Sequence, residues 1–510
     1  MSNSTSWAIN EESTDPMTDV VFSPAPTFLT SLETDDRLRA SVARLRGRDY
    51  GTTAAIEEST ASDWPGDVAG RLLLTLSRFA RDGHETRDRT RELFEAMLDT
   101  TADVGYFGTA SANEINEQQV ACHGWVVSAY LQYEVVSDDP RALDAATRVV
   151  DELILPALAK LSQYPREREL VDIGEPSGTA MMERNGWLLS TDTWCVFLAL
   201  NALVPVWERT RRRDIHRAIV DMAGVANEVD FVAQRAQLHA SLAAARNLAR
   251  FAVLSGSEEA ENAAVRIYRD YVQSGRTLNW ATFNWFGRHD TWTEPCAIVD
   301  SIGLEFALFD LTGDPGHLEN IRRIEHNAMA FAQRDDGSFG LDAIATAAHP
   351  EIYSISDDAW WCCTMRGALG VIDLRDRSAR FNDQSRCVEV LVPRSGIFED
   401  ARLPGWRLLF VKQGDVLTIE VASAPQEDCS LTLAFPGIHD PATLPAKEGS
   451  TLVIPLPADE TVEEVAAGQF VRMRGDVLLD ANRQALAGGD RGLTAASRTL
   501  TFSATPSTPG

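Results

Sequence analysis

Three stretches of this chain repeat one plan, and the repeat narrows the fold more than any other feature. His123 opens an apolar helix that reaches Val136 and ends in Ser-Asp-Asp-Pro, with an amphipathic helix over residues 141–153 behind it. His239 opens a second that reaches Leu254, turns at Ser-Gly-Ser and continues over residues 258–272. Cys296 opens a third that reaches Leu311, turns at Thr-Gly-Asp-Pro and continues over residues 317–329. Helical hairpins of this size pack side by side, burying the apolar first helix and exposing the second. Roughly five or six such pairs fit between residues 66 and 374, which predicts an (α/α)6 toroid, with an open superhelix of the same hairpins as the alternative.

The repeat places His123, His239 and Cys296 at the N-terminal mouths of first helices. In a closed toroid those mouths converge on one end of the central cavity. The segments feeding them, residues 105–121 and 172–187, are polar, contain glycine and are too long for simple turns. Trp187, Trp285, Trp292, Trp360 and Trp361 crowd the same end in sequence. Such rings among scattered charges suit a sugar-stacking cleft, although core filling accounts for several of them.

Beyond Arg380 the hydrophobic period changes from helical to alternating, in runs such as Val416-Leu-Thr-Ile-Glu-Val and Ser430-Leu-Thr-Leu-Ala-Phe separated by Gly, Pro and Asp turns. The chain is therefore expected to be multidomain and mainly α. The expected parts are a disordered tail over residues 1–20, an (α/α)6 catalytic domain over 21–378, a β-sandwich over 379–502 and a disordered tail over 503–510.

A net charge of −28 argues against nucleic acid and anionic membranes as partners, since both demand basic faces. No apolar run approaches a membrane span. The first residues have neither a basic nor an apolar leader region, so the seven cysteines are expected reduced and the protein cytoplasmic.

Chemistry concentrates in Asn284–Cys296 and in Trp360-Trp361-Cys362-Cys363. Glu294, Cys296, Cys362 and Cys363 are a donor set that could close a tetrahedral zinc site. The competing reading is buried thiols serving as small core residues. Cys387 and Cys429 fall in the strand region and are read as structural. Glycine-rich phosphate loops, a dinucleotide fingerprint, a Gly-x-Ser-x-Gly elbow and a paired-His zinc motif are all absent from the sequence.

The helical toroid, the β-sandwich, Thr-Glu-Pro-Cys at a helix start and a later Cys-Cys together resemble glycoside hydrolase family 127, the β-L-arabinofuranosidase-like enzymes. The resemblance implies a Zn²⁺ bound by Glu294, Cys296, Cys362 and Cys363, with Cys362 as nucleophile, and His123 and His239 lining the sugar pocket. A zinc-held thiolate is ionised at neutral pH, which makes Cys362 competent to attack an anomeric carbon. The chain departs from the family at the general acid, a Glu upstream of the Glu-x-Cys motif. Between Glu261 and Glu294 there is no Glu, and Asp270 and Asp290 are the acids present. Asp290, Glu183 and then Glu114 or Glu117 are the substitutes. Trp285, His289 and Trp361 complete the expected substrate-binding set.

The reading is a retaining glycosidase acting on a small furanoside. A lyase or epimerase on the same toroid, using a histidine base, and a non-catalytic structural-zinc protein that binds sugar are the alternatives. Expected partners are a small-molecule or oligosaccharide substrate, with a homodimer left open.

Overall fold

A computed structural model of the chain describes residues 27–29, 32–109, 114–168, 178, 180–344, 352–425, 429–466 and 469–481. The expected tails at 1–20 and 503–510 lie outside the described residues, as do 172–177 and 179 of the feeding segment 172–187.

Twelve helices form the toroid, alternating outside and inside along the chain. The outer ring holds α1 (Leu32–Leu45), α3 (Arg87–Thr100), α5 (Arg141–Val149), α7 (Arg213–Glu228), α9 (Glu258–Ser274) and α11 (Gly316–Ile324). The inner ring holds α2 (Asp67–Arg81), α4 (Glu117–Ser137), α6 (Leu200–Thr210), α8 (Leu238–Ser255), α10 (Pro295–Thr312) and α12 (Cys363–Asp376). Each inner helix packs on the next, and α12 packs back on α2, so the ring closes and the open superhelix is excluded. The first helix, α1, packs against the last inner one, α12, and supplies its outer partner.

The inner helices are buried on nearly every face because they have neighbours on all sides. The outer ones bury a stripe; α9, for example, buries Ala260, Ala263, Ala264, Ile267 and Tyr271 at helical spacing. The repeat extends to a defect. Helices α5 and α11 both pass into a five-residue π-turn, at Val150–Ile154 and Glu325–Met329.

Close approach in the inner ring depends on glycine. A Cβ on Gly124 in α4 would lie 2.2 Å from the Leu198 carbonyl oxygen. Gly124→Ala is expected to force α4 off its neighbour and to cost about 1–3 kcal/mol, the usual penalty of overpacking. Thermal unfolding measures it, and an unchanged midpoint would contradict this packing.

Two small sheets stand before inner-helix N-termini. Ile115–Asn116, Trp187–Ser190 and Ala180–Arg184 form one, and Trp292–Thr293, Leu341–Ala343 and Ser354–Ser356 the other. Both therefore crowd the mouth where those helices begin.

The C-terminal region is a sandwich of two sheets, five strands over four, around Phe381, Val388, Phe398, Phe410, Ile419 and Leu433. It does not follow the chain in one block. Thr27–Leu29 adds an edge strand to the five-stranded sheet, pairing with Gly396–Glu399. The last three strands, within residues 460–481, leave the sandwich and dock on the toroid. There Val471 and Met473 join its core, and Arg323 meets Glu463 at 2.7 Å.

Candidate active site

Asn116 caps α4, accepting from the Gln118 and Gln119 amides. That cap starts the helix before His123, which corrects the placing of this histidine at a mouth. Its ring is enclosed by main chain: Nδ1 lies 2.6 Å from the Gln119 carbonyl, and Nε2 accepts from the Phe107 amide at 3.0 Å. Burial pushes its pKa down to about 4. His123 is a neutral peg that ties the 105–109 turn to α4, and both of its nitrogens are spent.

The other mouth residues do gather. Glu294 is the N-cap of α10, Pro295 fills the first helical position, where no amide hydrogen is needed, and Cys296 follows. Cys362 caps α12 and Cys363 begins it. Glu294, Cys296, Cys362 and Cys363 each offer a ligand atom, all within 4.8 Å of one another. Cys362 and Cys363 Sγ are 3.3 Å apart, and Cys296 and Cys363 Sγ are 3.7 Å apart. Both Cys362 and Cys363 lie 3.7 Å from Glu294 Oε1. Glu294 Oε2 is buried without a protein donor. Two helix N-termini aim their partial positive charge at this group.

Cation partners surround the thiols. Arg71, one turn after Asp67 on α2, reaches Cys296 Sγ at 3.6 Å and holds Asp67 at 2.7 Å. His239, second residue of α8, lies 2.8 Å from Asp300, which also takes Arg366 at 2.6 Å and Arg246 at 3.2 Å. Burial works against charging His239, but Asp300 and Cys296 outweigh it and raise its pKa. Burial also opposes the Cys296 thiolate. Hydrogen bonds from Cys362 and Cys363, with the charges of Arg71 and His239, nevertheless bring it well below an ordinary thiol. Burial and then the Cys296 charge push Glu294 up to about 7. A buried acid and three thiols that compete for one negative charge could hold a metal ion, whose charge would let more of them ionise.

Trp361 and Tyr353 flank the cluster in sequence and stand 41 % and 57 % exposed. The remaining expected residues make their contacts with other partners. Trp285 is fully buried edge-on to Trp292. His289 is exposed and leans on Phe283. Glu183 is exposed on the Ala180–Arg184 strand, opposite Leu188. Asp290 is 67 % exposed and bound through both oxygens to Arg288, whose hydrogen bonds lower its pKa. A carboxylate held ionised in that way is a poor proton donor. Glu117 is consumed structurally, accepting from Tyr164, Arg168 and the Ser190 amide.

Sequence reasoning missed Asp192. It sits just before the Cys195–Ala199 turn that leads into α6, and it is buried. In the ring α6 is three places from α12, so Asp192 stands across the mouth from Cys362. Its charge is close enough to contribute to the upward shift of Glu294. The hydrogen bond from the Gln237 amide to the Thr193 carbonyl, 3.1 Å, fixes this segment beside the start of α8. The available signal was position, an acid immediately upstream of an apolar inner helix.

The class that fold and site define is an (α/α)6 toroid with a β-sandwich and a thiol–carboxylate centre at one mouth. Solved structures share the fold. A GH127 beta-L-arabinofuranosidase from Geobacillus stearothermophilus T6 matches with TM-score 0.63 at 12% identity, over 89% of this chain and 86% of its own. A second GH127 beta-arabinofuranosidase gives 0.62 at 13%, over 89% and 84%. A structure described as a glycoside hydrolase gives 0.61 at 11%, over 89% and 81%. No protein-family model matches the chain, and no curated protein matches it in sequence. Among the described residues no helix is long and apolar enough to cross a membrane.

Proposed function

We propose that this protein is a zinc-dependent retaining glycoside hydrolase acting on a small furanoside, β-L-arabinofuranoside-like, with Cys362 as nucleophile. The observation that carries the reading is the spacing of the four donors. Ligands about 2.3 Å (sulfur) and 2.1 Å (oxygen) from one tetrahedral zinc lie roughly 3.6–3.8 Å apart. Three of the four measured separations are 3.7 Å. The unsatisfied Glu294 Oε2 fits the same account, since a bound cation would take its unused lone pairs.

Glu294, Cys296, Cys362 and Cys363 would hold the ion. When bound, it supplies thiolate at neutral pH and makes sulfur a better leaving group. Among the three thiols Cys362 is the accessible one, 7 % exposed against 0 % for Cys296 and Cys363. Its Sγ attacks the anomeric carbon as the glycosidic C–O bond breaks. Asp192 donates the proton to the departing oxygen. Asp192 then takes a proton from water, whose oxygen displaces sulfur and releases the sugar with retained configuration. Trp361 offers a stacking face, and His239, held by Asp300, a charged hydrogen-bond donor.

Two features disfavour a histidine-base lyase or epimerase on this scaffold. His123 has both nitrogens occupied, and His239 is biased toward its protonated form, which cannot accept a proton.

Metal analysis of the purified chain tests the reading, with one zinc per chain expected and its loss in Cys296→Ala. A zinc-free protein of undiminished stability would defeat it. Asp192→Asn is expected to lower kcat by about 10²–10⁴-fold on aryl glycosides with poor leaving groups and much less on good ones. Equal losses on both would remove Asp192 as the general acid.

A further inference from the structure

The thiols occupy one mouth of the toroid; the other holds a cavity that the proposed reaction does not use. About 250 Å³ of it lies among the C-terminal halves of the inner helices, and it opens into a space of about 770 Å³. The two share Arg78, Glu208, Arg246, Asn247, Arg250 and Asp373. Trp125 forms the septum between this cavity and the thiol mouth. Its ring stacks on His239 at 5.9 Å, with the Arg71 guanidinium 4.3 Å and the Arg366 guanidinium 5.3 Å from its centre.

The hydrogen-bonding inventory of the cavity points to one chemistry. Five arginines line the inner part, each paired with a carboxylate: Arg78 with Asp373, Arg209 with Glu134, Arg250 with Glu208, and Arg246 and Arg366 with Asp300. Yet Arg78 Nε, Trp125 Nε1, Gln132 Nε2, Asn201 Nδ2 and Arg366 Nε are buried with no protein acceptor, and all five residues line this cavity. Every one is a donor. Asn201 is turned so that its Oδ1 accepts from Arg246 and Asn247, at 2.6 and 2.8 Å, which leaves its NH₂ to the cavity.

Arginine at helix C-termini also answers the helix dipole, and the acids there pair with several of these guanidinium groups. Pairing of that kind satisfies donors, however, and does not account for five left over around one space. Buried donors without acceptors are costly, and a ligand group with several acceptor oxygens satisfies them together.

We infer that this second cavity is a binding site for a small molecule carrying an oxyanion group, phosphoryl or carboxylate. Such a group presents several acceptor oxygens to converging arginine and amide donors. The inference is independent of the zinc–thiolate reading.

The test uses the full chain at low ionic strength, titrated calorimetrically with inorganic phosphate, glucuronate and, as an uncharged control, glucose. Saturable binding of phosphate or glucuronate is expected, and none of glucose; the tighter of the two anions identifies the group. The same protein is then treated with phenylglyoxal and its arginines mapped by mass spectrometry. Arg250, with its side chain 51 % exposed, should react about fivefold more slowly when anion is present at about four times its Kd. Arg91, exposed on the outer ring, should be unaffected. Arg246→Gln should weaken anion binding by about tenfold. Failure of both anions to bind, or binding without protection of Arg250, would overturn the site.

Discussion

Replacing Cys362 by Ala is expected to abolish glycoside release, lowering kcat/KM on an aryl β-L-arabinofuranoside by about 10⁴-fold or more, as loss of a nucleophile does elsewhere. The size of the effect follows from the geometry. Cys362 caps α12, and of the three clustered thiols it is the one solvent and substrate can reach; Cys296 pushes its pKa up, so its thiolate would depend on a bound cation. Cys296 and Cys363 are sealed and are suited to holding an ion. Cys387→Ala is the control. That thiol lies on a sandwich strand against Ser385, 3.0 Å away, and its loss should leave turnover unchanged. Turnover that survives in Cys362→Ala would move the nucleophile elsewhere.

The second large effect is on stability. Asp300→Ala should cost about 3–5 kcal/mol, the usual consequence of removing one partner from a buried charge cluster. Asp300 is fully buried in α10 and is the counter-charge for Arg366, Arg246 and His239 together, so its loss leaves cations without a partner in the wall of the toroid. The pH dependence has a definite sign. Burial opposes ionisation of Asp300, but Arg366, Arg246 and His239 hold its pKa well below the usual carboxylate value. Its contribution is therefore complete above the unfolded-state pKa of about 3.9, and is lost as pH falls from there toward the folded value. Urea unfolding of wild type and variant should show a gap that widens as pH falls from neutral to about 5, because Asp300 also raises the pKa of buried His239, and that narrows in stronger acid as Asp300 itself is protonated. A variant as stable as wild type at pH 7 would show that the cluster is compensated in some other way.

The toroid was legible because its period was legible. The Ser-Asp-Asp-Pro, Ser-Gly-Ser and Thr-Gly-Asp-Pro turns marked the hairpins, and the turn residues they contain allow little else. The cluster was legible for a related reason, since an acid and thiols at helix starts stand out against apolar inner helices. His123 misled because the apolar run begins near it, whereas the helix begins at the Asn116 cap and runs first through Gln118 and Gln119. Those two glutamines are buried at the mouth and reach main-chain carbonyls. Asp290 and Glu183 were favoured by nearness in sequence to the motif and to a long connection, and sequence distance does not report that Arg288 captures one and that solvent surrounds the other. Asp192 was hidden because its place opposite Cys362 depends on which helices face each other across a closed ring. The edge strand at residues 27–29 and the docking of the last three strands on α11 were hidden likewise, because both are contacts between distant parts of the chain.

The zinc–thiolate account stands on Cys362 taking the sugar, and trapping that bond tests it most directly. The full-length enzyme is mixed with an activated 2-fluoro furanoside, whose second step is slow, then quenched, digested and mapped by mass spectrometry. The account predicts a pentosyl adduct on the peptide containing Cys362 and Cys363, assigned to the Cys362 sulfur by fragmentation. An adduct on a carboxylate, or turnover with inverted product and no adduct, would contradict it.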